Sequence, residues 1–197
     1  QQRSSAASDV YKRQLKYRLS AKVADHVIVN SQSTKDRVVD YYGIDPSKVD
    51  VVWLGVDDAF KPYESAVAAI KNRETRLHYV SDDSPYILFV GTISSRRNVP
   101  LLMQAFSAAK KRYQLPHKLL VVGKNSEQAP LEQLAQQYGI ERDFVHFGGS
   151  FENHLDIVPI YNAADLFVLP SNTEGFSLTL PEACLLYTSD AADDRCC

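Results

Sequence analysis

The sequence has 197 residues, of which 45% are hydrophobic and 23% charged, and its formal net charge is −2. A net charge this close to zero provides no general attraction to nucleic acid, so a nucleic-acid partner is not expected. No apolar run approaches the ~20 residues that a membrane-spanning helix needs.

Both ends of the sequence are expected to be foreign to the protein. Residues 4–14 and 184–194 can be encoded by the two strands of one DNA segment, which resembles the transposon adapter of a sequencing library. We therefore treat 1–14 and 184–197 as non-native scars. They hold all three cysteines, Cys184, Cys196 and Cys197. The remainder has no cysteine, which excludes a disulfide framework and favours a reducing compartment.

Six short apolar runs predict the strands, in chain order with helical patterns between them. Most runs are rich in β-branched residues and continuous rather than alternating, as expected for strands covered on both faces. They lie at 26–29, 49–53, 86–90, 118–122, 144–147 and 166–169. Repeated strand–helix–strand units imply a parallel sheet with right-handed crossovers.

Four helices are predicted between these strands. Ser31 or Ser33 can cap the first, which stops at Gly43. Asn98 can cap the second, and Pro130 suits the first turn of the third. The four helices are expected to end near residues 42, 112, 138 and 163.

The segment 54–85 has a different composition. It contains glycine, proline and a polar amphipathic stretch at 66–76, and it closes with Ser-Asp-Asp-Ser-Pro. This predicts a linker region with a short helix inside it. Residues 15–53 would then end an N-terminal domain, and 86–183 would form a second domain.

The topology predicts where a ligand binds in the second domain. Open parallel sheets bind ligands beyond the carboxyl ends of their strands, where the strand order reverses. With the order 3-2-1-4, that point lies between the first and fourth strands of this domain. The loops that follow them, 91–98 and 170–177, are also the two richest in glycine and polar residues.

The loop after the first strand offers groups suited to phosphate. Gly91 lets the backbone turn closely, and Arg96 and Arg97 present guanidinium donors just before a helix N-terminus. Taken alone, two solvated surface arginines are the more ordinary interpretation of the same pattern.

The loop after the fourth strand carries a carboxylate at each end. Glu174 can accept hydrogen bonds from sugar hydroxyls, and Glu182 lies one to two turns inside the following helix. Both can therefore edge one cleft. The alternative is structural, because Thr179 followed by Glu182 also resembles a capping box.

The sequence motifs of several other classes of site are absent. The sequence has no G-x-G-x-x-G after a strand, no Walker A loop and no nucleophile elbow. Its histidines show no metal-ligand spacing and are interpreted as structural or surface residues. They are His26, His78, His117, His146 and His154.

The segment 174–182, Glu-Gly-Phe-Ser-Leu-Thr-Leu-Pro-Glu, matches the E-x7-E motif of retaining family-four glycosyltransferases of the group 1 type. Further segments resemble this family in the same order along the chain. They are 24–31, 42–48, 55–57, 60–62, 89–99, 145–149 and 161–171. The resemblance spans essentially all of 15–183, and its motifs are specific jointly rather than singly.

The resemblance implies an α/β fold, a Rossmann-like parallel sheet with helices on both faces, within a two-domain GT-B type glycosyltransferase. Residues 15–53 would end the acceptor domain, and 86–183 would form a truncated donor domain. The implied reaction is the retaining transfer of a hexose, of mannose or glucose type, from a nucleotide-diphosphate sugar to a glycan or lipid-linked acceptor. The chain by itself is not expected to catalyse it, because the catalytic face of the N-terminal domain is missing.

The resemblance also implies roles for individual residues. Glu182 would bind the ribose hydroxyls, and Glu174, as the catalytic residue, would contact the donor sugar. Arg97 stands where the family has a phosphate-binding lysine. Thr92 stands where many members have a second basic residue, which Arg96 must replace. The remaining donor contacts would come from Gly175, Phe176, Ser177, Leu178 and Thr179, with the base near Gly149, Ser150 and Phe151.

No metal and no other cofactor is expected, because cationic side chains and helix N-termini can stabilise the leaving diphosphate. The implied location is the cytoplasm or the inner face of its membrane, which the missing N-terminal domain would contact. A non-catalytic nucleotide-sugar-binding or scaffold relative is the main alternative. A flavodoxin-like regulatory domain fits less well, since it gives the two glutamates no task.

Overall fold

The computed structural model describes residues 2–149, 151 and 153–186, without the side chains at 2–11 and 13. The chain divides into two compact units, Gln1–Gly55 and Val56–Cys197. None of the helices in the described part is both long and apolar enough to cross a bilayer.

The first unit is a single parallel strand pair with helices. Val29, Ile44 and Val49 form its small core. Ser31 caps the second helix by accepting from the backbone N–H of Thr34, and Gly43 ends it in the left-handed conformation, as predicted. The elements are α1 (Gln2–Val23), β1 (Val27–Val29), α2 (Gln32–Tyr42), a 3-10 turn (Pro46–Lys48) and β2 (Val49–Val51).

The second unit contains four strands and five helices in its described part. In chain order the strands are β3 (Tyr86–Val90), β4 (Lys118–Val122), β5 (Phe144–Phe147) and β6 (Leu166–Phe167). The helices are α3 (Ser65–Val80), α4 (Val99–Tyr113), α5 (Leu131–Tyr138), α6 (Val158–Asn162) and α7 (Thr179–Leu186), with 3-10 turns at Ser95–Arg97 and His154–Ile157.

The four strands form one parallel sheet in the order β5-β4-β3-β6. This confirms the predicted order 3-2-1-4. The first strand of the unit, β3, therefore lies between β4 and β6. The direction of strand order reverses beside β3, and the carboxyl ends of β3 and β6 meet at one edge of the sheet.

Alternate side chains of the sheet enter two separate cores. Leu88 and Leu120 face one core together with α6 and α7, whereas Phe89 and Leu119 face the other with α4 and α5. All four side chains are fully buried. Each contributes about 1.5–3 kcal/mol relative to an exposed position. Burial on both faces explains why the strands are continuous apolar runs.

The segment expected to be a linker contains a 16-residue helix, α3, that belongs to the second unit. Val80 at its end is buried in the core beside α6 and α7. Arg76 donates to the carbonyl of Ala163 at 3.3 Å and lies 3.7 Å from the Asp165 carboxylate. Few residues of this helix are buried, and its sequence therefore contains many charged and polar residues and resembles a linker.

Two predicted helix caps differ in the structure. Asn98 does occupy the N-cap position of α4, but its backbone is left-handed and its side chain makes no capping hydrogen bond. The Asn98 amide donates instead to Asn172 across the sheet edge. Pro130 precedes α5 at the N-cap rather than lying in its first turn. For Asn98, a partner on the neighbouring loop replaces the local cap.

Two glycines allow the ends of β3 and β4 to approach closely. The N–H of Gly91 donates to the carbonyl of Val122 at 2.9 Å. A Cβ atom at Gly123, where φ is 141°, would lie only 2.1 Å from the Gly91 carbonyl oxygen. A side chain at position 123 would therefore push the two loops apart.

We expect Gly123→Ala to lower the free energy of unfolding by more than ~3 kcal/mol. A strained backbone conformation costs on the order of 1–3 kcal/mol by itself, and the Gly91 carbonyl must also move. Gly139→Ala is the matched control. It also has a positive φ but open space around it, so about 1–2 kcal/mol is expected. Urea denaturation followed by circular dichroism compares the two, and equal losses would contradict the steric argument.

Candidate functional site

The loops after β3 and β6 lie against each other, as the strand order requires. The backbone N–H of Asn172 donates to the carbonyl of Arg96 at 3.0 Å. The Arg96 guanidinium donates to the carbonyl of Thr173 at 2.7 Å. Asn98 and Asn172 join their side-chain amides at 3.3 Å. The predicted meeting of these two loops is therefore present in the structure.

Glu174 forms ion pairs with both arginines of the first loop. Its Oε2 lies 2.5 Å from Nη1 of Arg96, and its Oε1 lies 3.0 Å from Nη1 of Arg97. The side chains of Arg97 and Glu174 are 15% and 20% exposed, whereas Arg96 is 47% exposed. Separate tasks were predicted for these residues from the sequence, and their pairing with each other was not predicted.

The charge state of Glu174 follows from this environment. Burial by itself raises the pKa of the carboxyl, but the neighbouring Ser171 hydroxyl and the two guanidinium groups favour the ionised form more strongly. The pKa of Glu174 therefore lies below its ordinary value. At neutral pH the three charged groups together keep one positive charge in excess, which favours an anionic ligand.

Glycine at position 91 leaves room for Arg97. An added Cβ atom there would lie 3.3 Å from Nη1 of Arg97, and φ is 143°. The guanidinium group therefore rests on the bare backbone of the loop. Thr92, the next residue, is exposed. The carboxylate of Glu127 accepts from the backbone N–H of Ser95 at 2.8 Å and holds the start of the 3-10 turn that carries both arginines.

The segment from Gly175 to Thr179 connects Glu174 to helix α7. Gly175 and Leu178 are exposed, whereas Phe176 and Ser177 are half-buried. The hydroxyls of Ser177 and Thr179 lie 2.8 Å apart. This segment follows Glu174 directly in the chain, and the donor contacts assigned to it stay predictions.

Glu182 is buried rather than displayed on an open edge, with 2% of its surface exposed. Its Oε2 accepts from the hydroxyl of Tyr161 at 3.0 Å, and its Oε1 is hydrogen-bonded to Nε2 of His154 at 2.9 Å. The His154 side chain is 64% exposed. These contacts tie the carboxylate to α6 and to the 3-10 turn before it.

The region expected to hold the base is partly described. Gly149 is exposed, and a Cβ atom there would lie 2.8 Å from the Phe147 ring. The rings of Phe147 and Phe151 are 5.5 Å apart between centroids. Ser150 lies outside the described residues. The roles of all these residues stay predictions.

Sequence reasoning missed three residues that shape the site. They are Glu127, His154 and Tyr161. Tyr161 begins the family-like segment 161–171 but was assigned no role, and His154 was classed with the structural or surface histidines. Within the described part of the chain, no group of three or more His, Cys, Asp or Glu side chains could hold a metal ion; the expectation that no metal is needed stays a prediction.

Comparisons with known proteins agree with this geometry. Residues 71–188 match the family model described as glycosyl transferases group 1, and residues 2–60 match that of glycosyltransferase family 4. A D-inositol 3-phosphate glycosyltransferase of Mycobacterium sp. (strain JLS) is 34% identical over 171 residues, which are 81% of this chain and 35% of that protein. The chain thus spans about a third of the length of such relatives.

Solved structures share the fold. HepE from Anabaena, determined in complex with UDP and glucose, has a TM-score of 0.73 and 20% identity over 87% of this chain and 45% of its own. Sucrose-phosphate synthase from Thermosynechococcus elongatus has a TM-score of 0.68 and 24% identity over 88% and 41%. These neighbours fit the expected Rossmann-like fold of the GT-B type.

We expect Tyr161→Phe to lower the free energy of unfolding by about 1–3 kcal/mol, because a buried carboxylate loses one of its donors. Tyr138→Phe, which removes a hydroxyl on the opposite face of the sheet, is the control and should cost less. Urea denaturation of both variants provides the measurement. Equal losses would show that the hydroxyl of Tyr161 does not support Glu182.

The ion pairs of Glu174 predict a pH-dependent contribution to stability. Because the folded-state pKa is lowered, this contribution is present above the unfolded value of 4.5 and is lost as the pH falls through the folded value. Wild type should therefore be more stable than Glu174→Gln at pH 7, and the difference should shrink at pH 3. A difference that stays constant over that range, measured by urea denaturation, would contradict the argument.

Proposed function

The chain belongs to the glycosyl transferases group 1 family, and we propose that it forms the donor-binding part of an enzyme that transfers a hexose from a nucleoside diphosphate sugar. The proposed acceptor is a glycan or a lipid-linked sugar. Retention of the anomeric configuration is part of the proposal because 174–182 resembles the motif of retaining transferases.

One observation carries this proposal: Arg96, Arg97 and Glu174 meet at the carboxyl edge of the sheet. Two guanidinium groups suit the oxygens of a diphosphate, and a carboxylate suits sugar hydroxyls. The arginines also precede the N-terminus of α4, where the positive end of the helix dipole favours a negative ligand. That HepE was solved with UDP and glucose supports a nucleotide-sugar donor for a chain of the same fold.

The remaining contacts are proposed along the same edge. The exposed backbone of Gly175 and the half-buried Phe176 and Ser177 would bind the sugar and phosphate. Leu178 and Thr179 would line the diphosphate. Glu182 would accept from the ribose hydroxyls, since a carboxylate bound by Tyr161 and His154 still has lone pairs to offer.

The proposed chemistry needs a group that stabilises negative charge on the departing diphosphate. Arg96 and Arg97 are fixed charges in a partly buried place, where such stabilisation is strong. Arg97 in particular packs against the loop, because Gly91 has no side chain in its way. We therefore propose that transfer proceeds without a metal ion.

Calorimetric titration with UDP-glucose, GDP-mannose and ADP-glucose tests the donor site. At least one should bind, with a dissociation constant on the order of micromolar to millimolar. Glu182→Gln should weaken that binding about tenfold or more, because a charge-assisted hydrogen bond to the ribose becomes a neutral one.

Glu132→Gln, an exposed position on α5, is the control and should bind as wild type does. Failure of all three nucleotide sugars to bind would overturn the proposed function. Binding that Glu182→Gln leaves unchanged would remove only the ribose assignment.

A further inference from the structure

The ion pairs of Glu174 occupy the groups that the proposed function assigns to phosphate. Each of its two oxygens faces a different arginine, at 2.5 Å from Arg96 and 3.0 Å from Arg97. A carboxylate in this position does what a phosphate oxygen would do. A diphosphate and Glu174 therefore compete for the same two guanidinium groups.

The pair with Arg97 is electrostatic rather than a well-aligned hydrogen bond. Within the described part of the chain, the buried Nε and Nη1 of Arg97 and the buried Oε1 of Glu174 have no hydrogen-bond partner. Buried donors without partners are costly. Arg97 therefore retains hydrogen-bonding capacity that a ligand with more oxygens could use better than Glu174 does.

We propose that Glu174 is an internal competitor for the phosphate site and thereby makes the site discriminate against a bare diphosphate. This inference rests on the proposed function. When an intact sugar nucleotide binds, its diphosphate takes the arginines and its sugar hydroxyls give the displaced carboxylate new partners. When a nucleoside diphosphate binds alone, the carboxylate loses its arginines and gains nothing in return.

This competition has a direct consequence for the reaction. The product of sugar transfer is the nucleoside diphosphate, which has no sugar to satisfy Glu174. The displaced carboxylate would then lie beside the phosphates, where like charges repel. Glu174 thus favours release of the product and selects for the intact donor at the same site.

Inorganic pyrophosphate is the probe that isolates this effect, because it has neither base nor sugar. Calorimetric titration of the chain should show that Glu174→Gln binds pyrophosphate about tenfold more tightly than wild type, since the competing anion is gone. The double variant Glu174→Gln with Arg97→Gln should lose that gain. Glu174→Asp, which keeps the charge but shortens its reach, provides a second variant and should give a smaller gain.

Glu132→Gln is the charge control. It removes one negative charge from the same unit, at an exposed position on α5 that has no contact with the arginines in the described structure. It should therefore change pyrophosphate affinity much less than Glu174→Gln does. A gain of equal size in both variants would mean that net charge alone is responsible, and the inference would fall.

The inference is also overturned if Glu174→Gln binds pyrophosphate no more tightly than wild type or does not bind it at all. Its failure is separable from failure of the proposed function. If nucleotide sugars bind but Glu174→Gln gains no pyrophosphate affinity, the proposed function is retained and the inference fails. If Glu174→Gln gains pyrophosphate affinity but no nucleotide sugar binds, the competition between Glu174 and phosphate is retained and the proposed function fails.

Discussion

The pairing of β3 with both β4 and β6 is the constraint on which the rest of the second unit depends. Parallel strands must be joined by crossovers, so the chain leaves β3, builds β4 and β5 on one side, and returns to place β6 on the other. Residues separated by more than 70 positions then share one edge. Arg96 and Glu174 meet for this reason.

The ion pairs at that edge contribute little to stability and are better explained by the proposed binding of an anion. Exposed ion pairs add little to the free energy of folding, and Arg96 is nearly half exposed. Arg97 is more buried, yet its contact with Glu174 leaves buried donors without hydrogen-bond partners. A site built only for stability would satisfy these donors, whereas the proposed diphosphate would supply the missing acceptors.

Glu182 differs from Glu174 because each of its two carboxylate oxygens has a hydrogen-bond partner. A buried carboxylate is costly unless its oxygens are hydrogen-bonded, and Tyr161 and His154 supply one donor each. The two glutamates of the 174–182 motif therefore differ in environment although their spacing suggests a symmetric pair. Glu174 lies beside two arginines on loops at the sheet edge, and Glu182 is fixed by the helices on one face of the sheet.

The sequence by itself determined the strands and the two loops that form the site, because continuous apolar runs and glycine-rich turns are local signals. The strand order 3-2-1-4 was a hypothesis based on the parallel topology, and the structure confirms it. The sequence also placed Ser31 and Gly43 at the ends of α2. It could not show that α3 belongs to the second unit, since that helix buries only one side. Nor could it show that Glu174 pairs with the arginines or that His154 reaches Glu182. Those contacts join distant positions, and only the crossovers of the parallel sheet bring them within hydrogen-bonding distance.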